Sequence, residues 1–272
     1  MKWRNSFAIV AGCTAASLTV VDAQAQSAFA GFYGQVSTGY ENNQIGSISG
    51  GSSVTPFASS DHNATGSSQT FGGAPLVLGA GYYWQANDKW LIGVGADYSA
   101  LSQTSPNYSY NSTNAKGSTA VATGETITQN GLSMQLSNRF NLFITPGYAI
   151  DKDKLVYAKA GYSQVSSQFN RSTSVTKTLN GVSTTLPTVG GNQSSNQGGY
   201  LIGLGYKQII TSGLYGFIEG NYMGYSAPSY TYTTTNVADR ASGYSPVGTR
   251  TASVKFASLN TYQMLIGLGY AF

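Results

Sequence analysis

The octapeptide Tyr200-Leu201-Ile202-Gly203-Leu204-Gly205-Tyr206-Lys207 decides how this chain is read. Its core, LIGLGY, returns at Leu265–Tyr270, with Ala271 and Phe272 after it. The residues alternate in size and polarity with period two, the repeat of an extended strand. Tyr200, Ile202, Leu204 and Tyr206 fall on one face, and Leu201, Gly203, Gly205 and Lys207 fall on the other. The same division recurs upstream. Leu76, Leu78, Ala80, Tyr82 and Trp84 oppose Val77, Gly79, Gly81 and Tyr83, while Trp90, Ile92, Val94, Ala96 and Tyr98 oppose Leu91, Gly93, Gly95 and Asp97.

Working outward from this pattern, eight strands are expected at approximately 30–41, 72–86, 89–102, 132–149, 154–169, 198–210, 213–225 and 259–272. Tight turns follow the second, fourth and sixth at Ala86-Asn87-Asp88, Asp151-Lys152-Asp153 and Thr211-Ser212-Gly213. Polar crossings of about 30 residues follow the first, third, fifth and seventh. Tyrosines mark a hairpin repeat of about 60 residues: Tyr40, Tyr98, Tyr162 and Tyr225 on odd strands, Tyr82, Tyr148, Tyr206 and Tyr270 on even ones. Long connections at one end and short turns at the other are the pattern of a bacterial outer-membrane β-barrel. Asn180-Gly181, between short β-prone runs, signals a two-residue hairpin. Its Ser- and Thr-rich flanks place it above the membrane, although ten spanning strands remain an alternative to eight.

Composition agrees with an exported barrel. Charged residues are 9% and aromatics 12% of the 272 residues. No window past the N-terminus approaches the roughly 20 apolar residues of a spanning helix. Residues 1–25 read as a cleaved signal peptide: Lys2 and Arg4, an apolar run from Phe7 to Val21, and a small-x-small site at Ala23-Gln24-Ala25. Residues 26–272 then form the barrel domain, beginning at Gln26. A weak lipobox at Val10-Ala11-Gly12-Cys13 is the alternative for the leader. On the first reading the single cysteine, Cys13, leaves with the signal, and the formal charge falls from +4 to +3. So mild and dispersed a charge gives no ground for nucleic-acid binding.

Strand parity sorts the charges. In lipid every backbone polar group must be satisfied within the protein, so a spanning sheet has to close on itself. The outward face then meets hydrocarbon, where Arg or Lys at the midplane costs about 2–4 kcal/mol. Asp97, Arg139, Lys159, Lys207 and Glu219 all fall on the inward face, with Tyr83, Leu91, Phe143, Tyr157, Tyr215 and Phe217. These charges are expected to pair in a narrow lumen, with a small or gated ion path as the alternative. Lys207 and Glu219, symmetric about Gly213, are expected to be direct neighbours; an Asp97–Arg139 contact depends on register. Tyr82, Trp84, Trp90, Tyr148 and Tyr206 face outward near the short turns and form an interfacial aromatic girdle.

The ending Tyr262-Gln263-Met264-Leu265-Ile266-Gly267-Leu268-Gly269-Tyr270-Ala271-Phe272 resembles the terminal signature of outer-membrane proteins. That likeness implies that Tyr270 and Phe272 carry a signal read by the barrel-assembly machinery. The segment from Asn138-Arg139-Phe140 through Thr145-Pro146-Gly147-Tyr148, with Tyr157-Ala158-Lys159-Ala160-Gly161-Tyr162, resembles the small OmpA/OmpX-like barrel family. The resemblance spans about residues 30–272 and implies an all-β, eight-stranded, up-and-down transmembrane barrel with four long extracellular loops. The chain departs from OmpA in stopping at the barrel, so cell-wall anchoring by that route is not expected.

The expected role is structural or surface-interactive, as a monomer among outer-membrane lipids and lipopolysaccharide, with a surface ligand or host contact reached through the loops. Tyr108, Tyr110, Tyr230 and Tyr232 alternate there with small polar residues. A narrow channel is one alternative. A lipid A-modifying enzyme is another, for which Asp61-His62 would be the acid–base pair. Neither a cofactor nor a metal is expected, since no Cys or His cluster suits a metal and no glycine motif precedes a helix.

Overall fold

The computed structural model describes residues 27–55, 59–114, 126–187, 191–238 and 247–272. The expected leader, its cleavage site and Cys13 lie outside the described residues. The described residues form antiparallel β-structure throughout. Its strands are β1 (Gly31–Ile45), β2 (Ile48–Thr55), β3 (Ser59–Gly66), β4 (Gln69–Gly73), β5 (Leu76–Gln85), β6 (Trp90–Ser99), β7 (Gln103–Thr104) and β8 (Tyr108–Asn114). There follow β9 (Thr126–Asp151), β10 (Lys154–Asn170), β11 (Ser174–Leu179), β12 (Val182–Pro187), β13 (Asn192–Thr211), β14 (Leu214–Tyr225), β15 (Ser229–Ala238), β16 (Val247–Phe256) and β17 (Leu259–Ala271).

Eight of these strands close into a ring in the order β1, β5, β6, β9, β10, β13, β14, β17. The last joins the first: Val36 pairs with Leu268 and Tyr40 with Met264. Closure leaves no exposed edge in this layer. The second LIGLGY is therefore the closing strand, hydrogen-bonded to β1 on one side and β14 on the other.

A second sheet lies on the side of the long connections. It runs β12-β11-β9-β8-β3-β2-β16-β15 and shares β9 with the ring. Thr126–Asn130 of β9 pair with β11, and the residues from Ser133 onward pair with β10. Gly131 stands at the transfer with φ of +73°, a conformation costly for a residue with a Cβ. Between β11 and β12 the chain turns at Asn180 (φ 50°) and Gly181 (φ 80°), the positive-φ pair of a type I′ hairpin.

One irregularity changes which residues face inward. Asn138 has φ of +50°, and the β9–β10 register shifts across Gln164/Ser166. An extra residue in one strand moves all later side chains to the opposite face. On the turn side of Asn138 the inward residues are odd-numbered, Arg139, Asn141 and Phe143. Beyond it they are the even-numbered Leu132, Met134 and Leu136.

The ring wears its apolar side chains outward. Along β17, Tyr262, Met264, Ile266, Leu268 and Tyr270 are all exposed, and equivalent series run along β5, β6 and β13. Trp90 and Tyr98 bound this belt on β6. Their eight-residue separation is about 26 Å along a strand, or about 20 Å of height at the usual strand tilt.

Candidate functional site

The ring's interior is filled, and its contents are layered. At the short-turn end lies an apolar cluster of Phe29, Tyr33, Tyr83, Leu91, Leu155, Tyr157, Tyr215 and Phe217. Phe29 precedes β1 and tucks in against Tyr215, with ring centroids 6.0 Å apart. The neighbouring backbone is held by Ser27 N–H donating to Gln85 Oε1 (2.9 Å) and Ala28 N–H to the Lys152 carbonyl (3.3 Å).

The glycines of LIGLGY make room for these rings. A Cβ on Gly205 would strike the Tyr157 ring, one on Gly267 the Phe217 ring, and one on Gly269 the Tyr215 ring. Gly203 instead lies against Asn221. Large and small residues thus interdigitate across neighbouring strands, as close packing requires.

A charged layer follows, and it bridges the bore. Lys159 Nζ on β10 donates to Asp97 Oδ2 on β6 (2.7 Å) and to Glu219 Oε1 on β14 (2.9 Å). Each bridge passes over an intervening strand. Tyr157 OH donates to Glu219 Oε2 (2.7 Å), Asn221 Nδ2 to Glu219 Oε1 (2.8 Å), and Asn141 to Asp97. The Lys159 ammonium also lies 4.0 Å from the Phe143 ring centroid. Each charge is buried and bonded more than once, the condition under which such a group is tolerated.

Arg139 reaches from β9 to the far wall. It ion-pairs with Glu41 on β1, donates through Nε to Tyr225 OH (2.9 Å) and through Nη2 to Thr261 Oγ1 (3.3 Å). Gln263 Nε2 and Asn43 Nδ2 also donate to Glu41, at 2.7 and 3.0 Å. Above this layer sits a second apolar cluster that includes Leu132, Met134, Leu136, Val165, Phe169, Leu201 and Met223.

One expectation is corrected, and a contact left to register is decided. Lys207 does not meet Glu219 across the hairpin. A two-residue Ser212-Gly213 turn and a register shift between Ile209 and Thr211 pair Lys207 with Phe217 and Gly205 with Glu219. Among the described residues Lys207 has no acidic partner. Its ammonium lies 4.1 Å from the Tyr33 ring centroid, 4.8 Å from Tyr215 and 5.1 Å from Tyr83, and donates to Gln35 Oε1 (3.2 Å). Faces of electron-rich rings take the place of a counter-ion. Asp97 and Arg139 do not meet either, because register sets Asp97 opposite Asn141 and Arg139 opposite Ser99.

Glu41 was missed. The first strand was expected to end there, at the rim, whereas β1 continues to Ile45. Its parity, opposite to outward Tyr40, was the available signal. Tyr225 also departs from its odd-strand counterparts: it points inward onto Arg139, and Tyr222 takes the outward place between Tyr200 (5.9 Å) and Tyr262 (4.9 Å).

Tyr82, Trp84, Trp90, Tyr148 and Tyr206 lie outward at the short-turn end. Tyr82 packs on Trp84 at 4.8 Å and Trp90 on Tyr148 at 5.3 Å, while Tyr206 donates to Gln208 (2.8 Å). Tyr270 and Phe272 join this level, 5.0 Å apart, and Phe272 N–H donates to the Phe32 carbonyl (2.9 Å). His62 lies on β3 opposite Ser52 and Asn114; the Asp61 and His62 side chains lie outside the described residues.

The chain matches no family model and no curated protein. Among solved structures it is similar to the outer membrane protein OprG from Pseudomonas aeruginosa, at 14% identity and a TM-score of 0.47, over 89% of this chain and 96% of that one. It is similar to the outer membrane protease OmpT from Escherichia coli at 9% identity and a TM-score of 0.44, over 92% and 99%. Ail, the attachment invasion locus protein of Yersinia pestis, is similar at 12% identity and a TM-score of 0.35, over 86% and 99%. Likenesses this distant transfer neither activity nor ligand to this chain.

Proposed function

We propose that this protein is a bacterial outer-membrane β-barrel of eight spanning strands whose bore is closed and whose role is structural and surface-interactive. The observation that carries this reading is an outward apolar belt wrapped around a ring filled with ion pairs and rings. Between its aromatic borders the outward face of the ring strands holds no charged residue among those described. Such a surface is costly in water and suited to hydrocarbon. The second sheet, rich in Ser, Thr and Tyr, stands beyond the belt on the side of the long connections, where it reads as the cell-surface face. Lipopolysaccharide and outer-membrane lipids would then surround the belt, Tyr270 and Phe272 would serve the assembly machinery, and the monomer would act without enzymatic chemistry or cofactor.

Two apolar layers and the Asp97–Lys159–Glu219 bridge stand in series along the bore, and the space beside Arg139 is too small to admit water. Purified protein in a planar bilayer is therefore expected to insert without opening; steady conductance that responds to Glu219→Gln would overturn the closed reading in favour of a channel. Orientation is tested separately at the β11–β12 hairpin, where Val182 is 71% exposed. A Val182→Cys variant should react with a membrane-impermeant maleimide on intact cells. Labelling only after lysis would refute the assigned sidedness.

A further inference from the structure

The second sheet borders a cavity of ≈ 280 Å³ that lies against the upper apolar cluster. Its lining comes from β2, β3, β8, β9, β10, β11, β15 and β16 and from Arg171 and Ser172 just after β10. Leu132, Phe169 and Val254, each nearly fully buried, belong to the upper apolar cluster and supply apolar wall, with Tyr110, Tyr232 and Ile127 beside them. Ligand pockets are concave, mainly apolar and provided with a few convergent polar groups, at about 300–1,000 Å³. At ≈ 280 Å³ this cup lies just below that range, with room for one or two fused rings.

Its polar groups are asymmetric in charge. Arg171 is the single charged residue among the described lining, and no Asp or Glu faces it there. Its guanidinium stands 4.4 Å from the Tyr232 ring centroid. Among the described residues it makes no ion pair. Tyr232 is 8% exposed, and its hydroxyl is buried without a hydrogen-bond partner. A buried unpaired hydroxyl costs on the order of 1–3 kcal/mol, so a ligand that accepts its proton gains what the apo fold forgoes. Burial pushes the Tyr232 phenol above its ordinary value and Arg171 opposes that rise; the hydroxyl is a donor at neutral pH. Arg171 and Tyr232 therefore line one cup of mixed polar and apolar wall, with no carboxylate among its described lining.

We propose that this cup is a binding site for a small aromatic anion, its carboxylate or sulfonate held by the Arg171 guanidinium and the Tyr232 hydroxyl and its ring laid against Phe169, Leu132 and Val254. The guanidinium, already stacked on Tyr232, keeps its fork free for the anion. The site adds small-molecule binding to the surface role and stands whichever side of the membrane the second sheet occupies.

The probe is 2-naphthoate, titrated calorimetrically into the refolded mature chain in detergent, with empty micelles as the blank. The expected result is saturable binding at one site. Arg171→Gln should weaken it at least about tenfold, the scale of one charge-assisted hydrogen bond. Tyr232→Phe should weaken it several-fold. The neutral analogue 2-naphthol should bind at least about tenfold more weakly to the unaltered protein. Unchanged Trp84 and Trp90 emission in each variant verifies the fold. No saturable heat above the micelle blank, equal affinity for 2-naphthol, or indifference to Arg171→Gln would each overturn the proposal. None of these results depends on sidedness, which the Val182→Cys labelling tests by itself.

Discussion

Replacing Lys159 by Met removes the centre of the bridge across the bore while keeping most of the side chain's volume. Its ammonium serves Asp97 at 2.7 Å and Glu219 at 2.9 Å, and both carboxylates are buried. Breaking a buried pair by deleting one partner typically costs 3–5 kcal/mol, because a charge is left uncompensated. Two carboxylates are stranded here, which pushes the cost up. Asn141 still serves Asp97, and Tyr157 and Asn221 still serve Glu219, which holds it down. A loss of about 3 kcal/mol is the balance. At a urea slope of about 2 kcal/mol per molar the unfolding midpoint should fall by about 1.5 M. The assay is urea unfolding of the refolded protein in micelles, followed by Trp84 and Trp90 emission. Removing all three charges, as Asp97→Asn, Lys159→Met and Glu219→Gln together, should return the midpoint to within about 1 kcal/mol of the original. The reasoning is refuted if Lys159→Met alone costs less than about 1 kcal/mol, or if the triple variant is as unstable as the single one.

Gly269→Leu drives a side chain into the Tyr215 ring and should cost about 1–3 kcal/mol; adding Tyr215→Ala should recover part of that loss in the same titration. Trp84 and Trp90 are the only tryptophans after Trp3, so lipids brominated near the headgroup should quench their emission more than lipids brominated near the chain ends. Deeper quenching at the chain ends would remove the girdle. In the exposed turn, a hydrogen bond from Lys154 (2.8 Å) holds the Asp151 carboxyl below its usual range. A lowered carboxylate pKa adds stability above the unfolded value and loses it as pH falls through the folded one. The unfolding midpoints of the unaltered protein and Asp151→Asn should therefore differ at neutral pH and converge in acid.

Much of the fold was legible because a strand's period is local. Alternation in LIGLGY and its relatives located all eight ring strands and sorted Asp97, Lys159 and Glu219 to the inside, since facing depends only on odd or even position. Lys207 shows where that logic stops. Symmetry about Gly213 matched it to Glu219, but a turn centred between Ser212 and Gly213 and a one-residue bulge together moved its partner to Phe217, and its ammonium came to rest among tyrosines. Glu41 was hidden by a strand boundary, which local pattern defines least well. The inward turn of Leu132, Met134 and Leu136 was hidden by the bulge at Asn138.

By itself, then, the sequence determined an antiparallel β-chain with a lipid-suited face, a guarded set of interior charges and aromatic borders, and it marked the second LIGLGY as the descending end of a hairpin. Only closure of the ring decided which charges meet. Lys159 finds Asp97 and Glu219 over intervening strands, and Arg139 finds Glu41 on the far wall, because the bore brings together residues that no stretch of chain connects. The cup around Arg171 and Tyr232 is likewise a product of many strands meeting. Period is written along a chain; partnership across a closed sheet is set by register and curvature.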